Sequence, residues 1–463
     1  MYSFSLDQSL VSIYLLSILF LGFYKKSEKN TKNFLFAGRT LSLPSLVATI
    51  VCTWYGGILE VGRFTYQNGI ATWIIFGLFY YIAALLFAKY IVPKIIQSNI
   101  SSIPKLFNAC YGRLPAIIAT FCVILLTNPA PYLKILSTIL LFIWNLNTLH
   151  SLFLGASISL IYTFTGGFQS VIRTDKIQFI FMFMGFILLI TFSYLNFGGL
   201  TNLIQNTPDY AFALPGNLNW TFIFAWGFIA LITFIDPGFY QRTFAGKSKE
   251  IVQKSIKISI LFWFFFDFMT ISCGIYALAI LPSIETSPYL DLANYVLPPF
   301  AKSLFIVSLL SIVMSTIDSL TFISGYTMGK DFIKILGYEV TERKKINYTR
   351  IGIALTSVLA IILANFFTYA VDIWYVLGSF IVPTLLIPLI LALYKVNIQN
   401  INLLMVVPLI ISIAWYLGIK ADFDYIQLPT YLEIIDPMYP GILSSLILFI
   451  CLKIKQIAFH KNY

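Results

Sequence analysis

Runs of about 17–25 apolar residues, the length a transmembrane helix needs, recur along the whole chain, separated by short polar segments. They predict thirteen spans: 8–24, 43–67, 70–93, 114–144, 147–165, 174–195, 219–239, 254–281, 298–328, 349–368, 371–394, 402–419 and 436–455. The chain therefore reads as an all-α polytopic membrane protein forming one transmembrane domain. The run at 8–24 has no basic residue before it and Lys25 and Lys26 after it. That pattern predicts a retained anchor with its N-terminus outside rather than a cleaved signal. Asn128, Pro129, Pro131 and Lys134 interrupt the run at 114–144. One kinked helix is expected there, because two would invert every later loop.

The pattern is most informative where it breaks. In SIVMSTIDSLTFISGYTMGKD, Ser311 to Asp331, polar side chains at Ser311, Ser315, Asp318 and Ser319 share a helical face with Phe322, and Thr316 widens the stripe. A stripe with a carboxylate is costly in lipid and should face the bundle interior. Hydroxyls alone also serve as helix–helix glue, but Asp318 one turn away points to an ion site. Gly56 and Gly57 fall mid-span in LPSLVATIVCTWYGGILEVGRFTYQNG. Adjacent glycines weaken a helix, and a break there would free carbonyls for a cation or a solute. Glu60 and Arg63 follow at i and i+3, spaced either to neutralise each other or to hold the charged ends of a solute. LITFIDPGFYQRTFAGKS suggests a second break at Asp236, Pro237 and Gly238; an ordinary helix end is the plainer reading. The two interruptions lie five spans apart, the spacing of two inverted five-helix repeats. Between them, Gly166 and Gly167 predict a tight turn, and Asp175 near the next helix start reads first as a cap.

Composition sharpens this picture. The chain is 59% hydrophobic and 11% charged, with a net charge of +11. Alternating the spans from an outside N-terminus places every Lys and Arg on the cytoplasmic side except Arg63, Lys134, Lys302 and Lys420. The basic charge, Arg242 and Lys330 included, is thus read as a cytoplasmic collar and argues against nucleic acid. It also places the C-terminus in the cytoplasm and the protein in the cell membrane. The five cysteines form no CxxC pair, and two histidines, His150 and His460, leave little for metal sites or histidine catalysis.

YTFTGGFQSVIRTDKIQ, DPGFYQRTFAGKS, MSTIDS and EIIDPMYPGILSSL together resemble the sodium:solute symporter family, over about residues 35–450. The resemblance implies a LeuT-like fold of two inverted repeats, 43–195 and 219–394, with one extra helix at 8–24 and two at 402–455. It implies alternating access, with sodium as coupling ion and no organic cofactor. Carried over, the sodium ligands are the hydroxyls of Ser315 and Thr316, the carbonyl of Ile312 and carbonyls near Cys52 and Tyr55, hard oxygens suited to a hard cation. Asp175, Asp318 and Ser319 match a second ion site of some relatives. Asp318 stands where relatives often have a hydroxyl, so it would strengthen that site or bind a proton. The implied solute pocket draws on Tyr55, Gly56, Glu60, Thr233, Asp236, Trp374, Tyr375 and Ser379. Asp267, a carboxylate inside an aromatic run, is a further candidate. The lysine that sugar carriers place near it is not evident. Glu60, Asp236 and Asp267 suit an amine-bearing solute, with Arg63 for a carboxylate.

The expected function is sodium-coupled symport of a small organic solute, an amino acid or other small metabolite. The partners are solute, sodium and the lipid bilayer; the oligomeric state is left open. The alternatives are a proton-coupled carrier and a transporter-like sensor, the latter disfavoured by the short stretch after the last span. No clustered catalytic constellation supports an enzyme.

Overall fold

The structure, a computed structural model, describes residues 5–23, 31–338, 341–367, 369–420 and 435–461. Lys25, Lys26 and Lys29, Thr368 of the predicted span 349–368, and Glu433 and Ile434 of the EIIDPMYPG segment lie outside them. Among the described residues, eleven helices are long and apolar enough to cross a membrane. The other two predicted spans are a pair bent by 56°, Leu43–Trp54 and Ile58–Asn68, and a shorter apolar helix, Thr148–Ile161. The segment at 114–144 is one span with an internal break, Arg113–Leu126 followed by Ala130–Trp144.

The helix Pro299–Tyr326 is the axis of the bundle. Its apolar window is 83% buried, against 28% for Leu6–Phe23 and 11% for Met438–Ile457. It packs against Thr148–Phe197, Leu6–Phe23, Leu43–Trp54 and Glu342–Phe366. Ser311, Ser315, Thr316, Asp318 and Ser319 are all buried, so the polar stripe faces neighbouring helices rather than lipid, as its cost in hydrocarbon requires.

Two predicted span ends move. The seventh span runs Trp220–Ala245 instead of stopping at 239, and the sixth runs Gly166–Phe197 instead of starting at 174. In both cases the missing turns carry polar residues, Gln241 and Arg242 in one and Gln169, Ser170 and Arg173 in the other. Hydropathy reads such residues as loop, although Gln241, Arg242 and Ser170 are buried. Asp175 therefore sits well inside its helix rather than capping it, and the chain kinks upstream at Gly167, φ 61°. At one end of the bundle the two broken helices are tied together. The Leu41 N–H donates to the Ala245 carbonyl (3.1 Å) and the Lys247 N–H to the Leu41 carbonyl (3.2 Å).

Candidate functional site

The first broken helix stops at Trp54, and Tyr55, Gly56 and Gly57 form the break before Ile58 resumes. Glycine is required here by close approach. A β-carbon on Gly56 would lie 2.5 Å from the Thr316 hydroxyl, and one on Gly57 would lie 2.0 Å from the Trp374 ring. The last carbonyls of a helix lack intrahelical partners and carry the negative end of its dipole. Those of Cys52 to Tyr55 thus form a cation-friendly edge. Thr316 touches that edge directly, its hydroxyl 3.0 Å from the Thr53 carbonyl and 3.4 Å from that of Ile312.

Beside this edge lies Asp175. Its Oδ1 accepts from the Ser315 hydroxyl at 2.6 Å, its Oδ2 accepts from the Thr49 hydroxyl, and the Cys52 thiol reaches its backbone carbonyl at 3.4 Å. Arg242 closes the cluster. Its Nη2 shares two N–H donors among the hydroxyls of Thr49 (3.0 Å), Thr53 (2.5 Å) and Ser319 (2.9 Å). The Thr49 hydroxyl thus accepts from Arg242 and donates to Asp175, linking cation to carboxylate. Arg242 is buried, which corrects its place in the cytoplasmic collar; buried Lys330 leaves the collar as well. Thr49, Thr53 and Arg242 were missed by sequence reasoning. A charged residue a few positions beyond an Asp-Pro-Gly break, amid aromatics, was the available signal.

Asp318 does not join Asp175 and Ser319. It is fully buried and its Oδ1 accepts from the Ser159 hydroxyl at 2.5 Å, on another side of its helix. Ser319 instead meets Thr53, 3.2 Å between hydroxyls, and Arg242.

A cavity of about 180 Å³ opens next to the break, and Tyr55, Gly57, Asp236, Asp267 and Trp374 are on its wall. Asp236 caps the helix Pro237–Ala245, its Oδ1 accepting from the Gly238 N–H at 2.5 Å and the Phe239 N–H at 3.4 Å. It therefore interrupts a helix that continues. Asp267 accepts from the Tyr81 hydroxyl through Oδ2, and its Oδ1 lies 2.9 Å from the Tyr55 hydroxyl. Gly77 leaves room for it, since a β-carbon there would stand 2.8 Å from Oδ2.

Five other pocket candidates are not on this wall. Gly56 faces Tyr132 and Thr316. Glu60 pairs with Arg63 at 2.7 Å and accepts from the Ala370 N–H at 3.4 Å. Arg63 also stacks 3.9 Å from the Tyr369 ring centroid, so both charges are committed to each other and to the start of Ala370–Leu393. Tyr375 donates to Asp436 and stacks on Phe222. Thr233 and Ser379 are buried away from the cavity.

Comparison with known proteins returns one family model, the sodium:solute symporter family, matching residues 34–402. A sodium/proline symporter of Haemophilus influenzae is 25% identical over 402 residues, covering 78% of each chain. A sodium/pantothenate symporter of the same organism is 26% identical over 220 residues, 45% of this chain and 44% of that one. Among solved structures, a substrate-bound, outward-open Na+-coupled sialic acid symporter superposes with a TM-score of 0.77 at 14% identity, covering 95% of this chain and 97% of that one. At that identity the superposition speaks for the fold alone.

Proposed function

The chain belongs to the sodium:solute symporter family, and from that premise we propose where this multi-pass transporter holds its ion and its solute. Sodium-coupled symport, not catalysis, is the activity of the family. We assign the sodium to the space between the carbonyls of Cys52, Tyr55 and Ile312 and the hydroxyls of Ser315 and Thr316. The observation that carries this is the approach of Thr316 to the Thr53 carbonyl at the break, with Ser315 beside it on Asp175. Every donor offered is a hard oxygen, the set that small hard cations take. One ion is held there. We leave the second site, Asp175, Asp318 and Ser319, without an ion: Asp318 bonds to Ser159 instead, Ser319 contacts the Arg242 guanidinium, and a second cation beside that guanidinium would be repelled.

The solute occupies the cavity beside the break. The relatives' cargos, proline and pantothenate, both bear a carboxylate, and a small carboxylate-bearing metabolite suits a wall that also includes Asn128 and Arg242. Coupling runs through Tyr55: its backbone belongs to the ion site while its hydroxyl reaches Asp267 in the cavity. Sodium that fixes the break fixes the solute-binding carboxylate with it, which gives the differential binding that coupling requires. The repeats are read as 43–195 and 219–394, flanked by the helix at 8–24 and the pair at 402–455. The protein is read in the cell membrane, with its N-terminus outside and its C-terminus cytoplasmic, from the asymmetry of basic residues.

The test is uptake into proteoliposomes under an imposed sodium gradient or an imposed proton gradient, with Ser315→Ala/Thr316→Ala alongside. Sodium-driven uptake that the double variant abolishes is expected. Proton-driven uptake indifferent to both hydroxyls would overturn the assignment and move the coupling ion to Asp318.

A further inference from the structure

Resting on the reading of the cavity as the solute site, we propose that the solute carries a positively charged nitrogen, bound by Asp267 inside an aromatic cage. Three charged side chains reach the cavity wall: Asp236, Arg242 and Asp267. Asp236 is engaged by the N-terminus of Pro237–Ala245. Arg242 spends Nη2 on three hydroxyls and reaches Asp175 through Thr49. Asp267 differs. It is buried, and among the described residues no Lys or Arg pairs with it. Its hydrogen-bond partners are the phenols of Tyr55 and Tyr81.

Those phenols leave a place for one more donor. Tyr55 has a single hydroxyl proton and two acceptors at 2.9 Å, Asp267 Oδ1 and the Trp263 carbonyl. When that proton serves the carbonyl, Oδ1 is free to accept. A buried carboxylate with no counter-ion is costly unless a cation arrives, and a solute N–H or substituted ammonium supplies it. The surrounding wall suits the same group. Trp54, Tyr80, Tyr132 and Trp374 line the cavity, and their ring faces attract a cation, more so when it is desolvated.

Three residues of the cavity wall also carry buried donors without acceptors. Asn128 Nδ2, Trp226 Nε1 and Arg242 Nε are buried and have no hydrogen-bond partner among the described residues, and all three residues line the same space. A solute carboxylate seated against that wall would draw these donors towards it, as its nitrogen would engage Asp267. The chemistry called for is a compact zwitterion with a substituted ammonium, such as an imino acid or a betaine. Pantothenate has the carboxylate but no ammonium, and glucose has neither.

The experiment uses the full-length protein in detergent with sodium present. The sodium-induced change in tryptophan fluorescence serves as the control for fold and ion site. L-Proline, glycine betaine, pantothenate and glucose are titrated against wild type and Asp267→Asn. Proline or betaine should bind wild type, and the variant should bind it about 100-fold more weakly while its sodium response stays within about twofold. Asp267→Glu, which keeps the charge, should retain the preference for the zwitterions, and it takes the place of the asparagine variant if that one loses the sodium response. Unchanged affinity in Asp267→Asn, binding of pantothenate or glucose alone, or no binding of either zwitterion overturns the inference while leaving the sodium site intact. Loss of the sodium response in wild type would instead overturn the ion-site reading on which it rests.

Discussion

Asp175 and Asp267 are both buried carboxylates, both reach the first broken helix, and they are provided for in different ways. Asp175 is enclosed by hydroxyls from Thr49 and Ser315 and linked through Thr49 to the Arg242 guanidinium. Asp267 is held by two phenols and faces a cavity lined by rings. The protein supplies the cation for the first and leaves the second without one. The difference separates a carboxylate that holds the frame from one that waits for cargo. Neither the residue type nor its depth distinguishes them; the neighbours do.

The largest predicted effect comes from breaking the frame. Arg242→Leu removes the cation that reaches Asp175 through Thr49 and the donor that three hydroxyls share, and it should destabilise the protein by about 3–5 kcal/mol, the cost of leaving a buried charge uncompensated. Adding Asp175→Asn should recover most of that loss. Asp267→Asn removes no cationic partner and should change stability by under about 1 kcal/mol. Thermal unfolding in detergent compares the variants, and equal shifts for Arg242→Leu and Asp267→Asn would erase the contrast. Gly57→Ala is next. Its β-carbon would strike the Trp374 ring at 2.0 Å, an overpacking expected to cost about 1–3 kcal/mol and to displace a cavity wall. Solute affinity should fall while Ser315 and Thr316 keep their places, so sodium titration checks it. The smallest effect is expected from Tyr55→Phe. Both sites survive, but the hydroxyl joining break to Asp267 is gone. The gain in solute affinity caused by sodium should drop by about tenfold or less, within the ordinary range of coupling energies. An unchanged gain would remove Tyr55 from the coupling route.

Most of the architecture was legible in the pattern of apolar residues, because lipid exposes the period and length of each span. Even the two interruptions showed, since Gly56-Gly57 and Asp236-Pro237 are poor helix formers wherever they occur. Span ends at Ala245 and Gly166 were not legible, because hydropathy scores Arg242 or Gln241 alike whether water or other helices surround it. The same blindness hid part of the site. Helical spacing brought Ser315 and Thr316 together, but spacing also grouped Asp318 with Ser319, which point to different neighbours. Glu60 and Arg63 at i and i+3 allowed both a mutual pair and a solute clamp; the observed 2.7 Å contact selects the pair. Arg242 lay inside a motif yet read as cytoplasmic charge, since only the three-dimensional packing reveals that three hydroxyls converge on it.

The most direct test of the account is equilibrium binding of radioactive sodium to wild type, Ser315→Ala/Thr316→Ala and Asp267→Asn. One sodium per chain is predicted for wild type and for Asp267→Asn, and none at the same concentrations for the hydroxyl double variant. Sodium retained without both hydroxyls, or lost with Asp267, would contradict the separation of ion site from solute site.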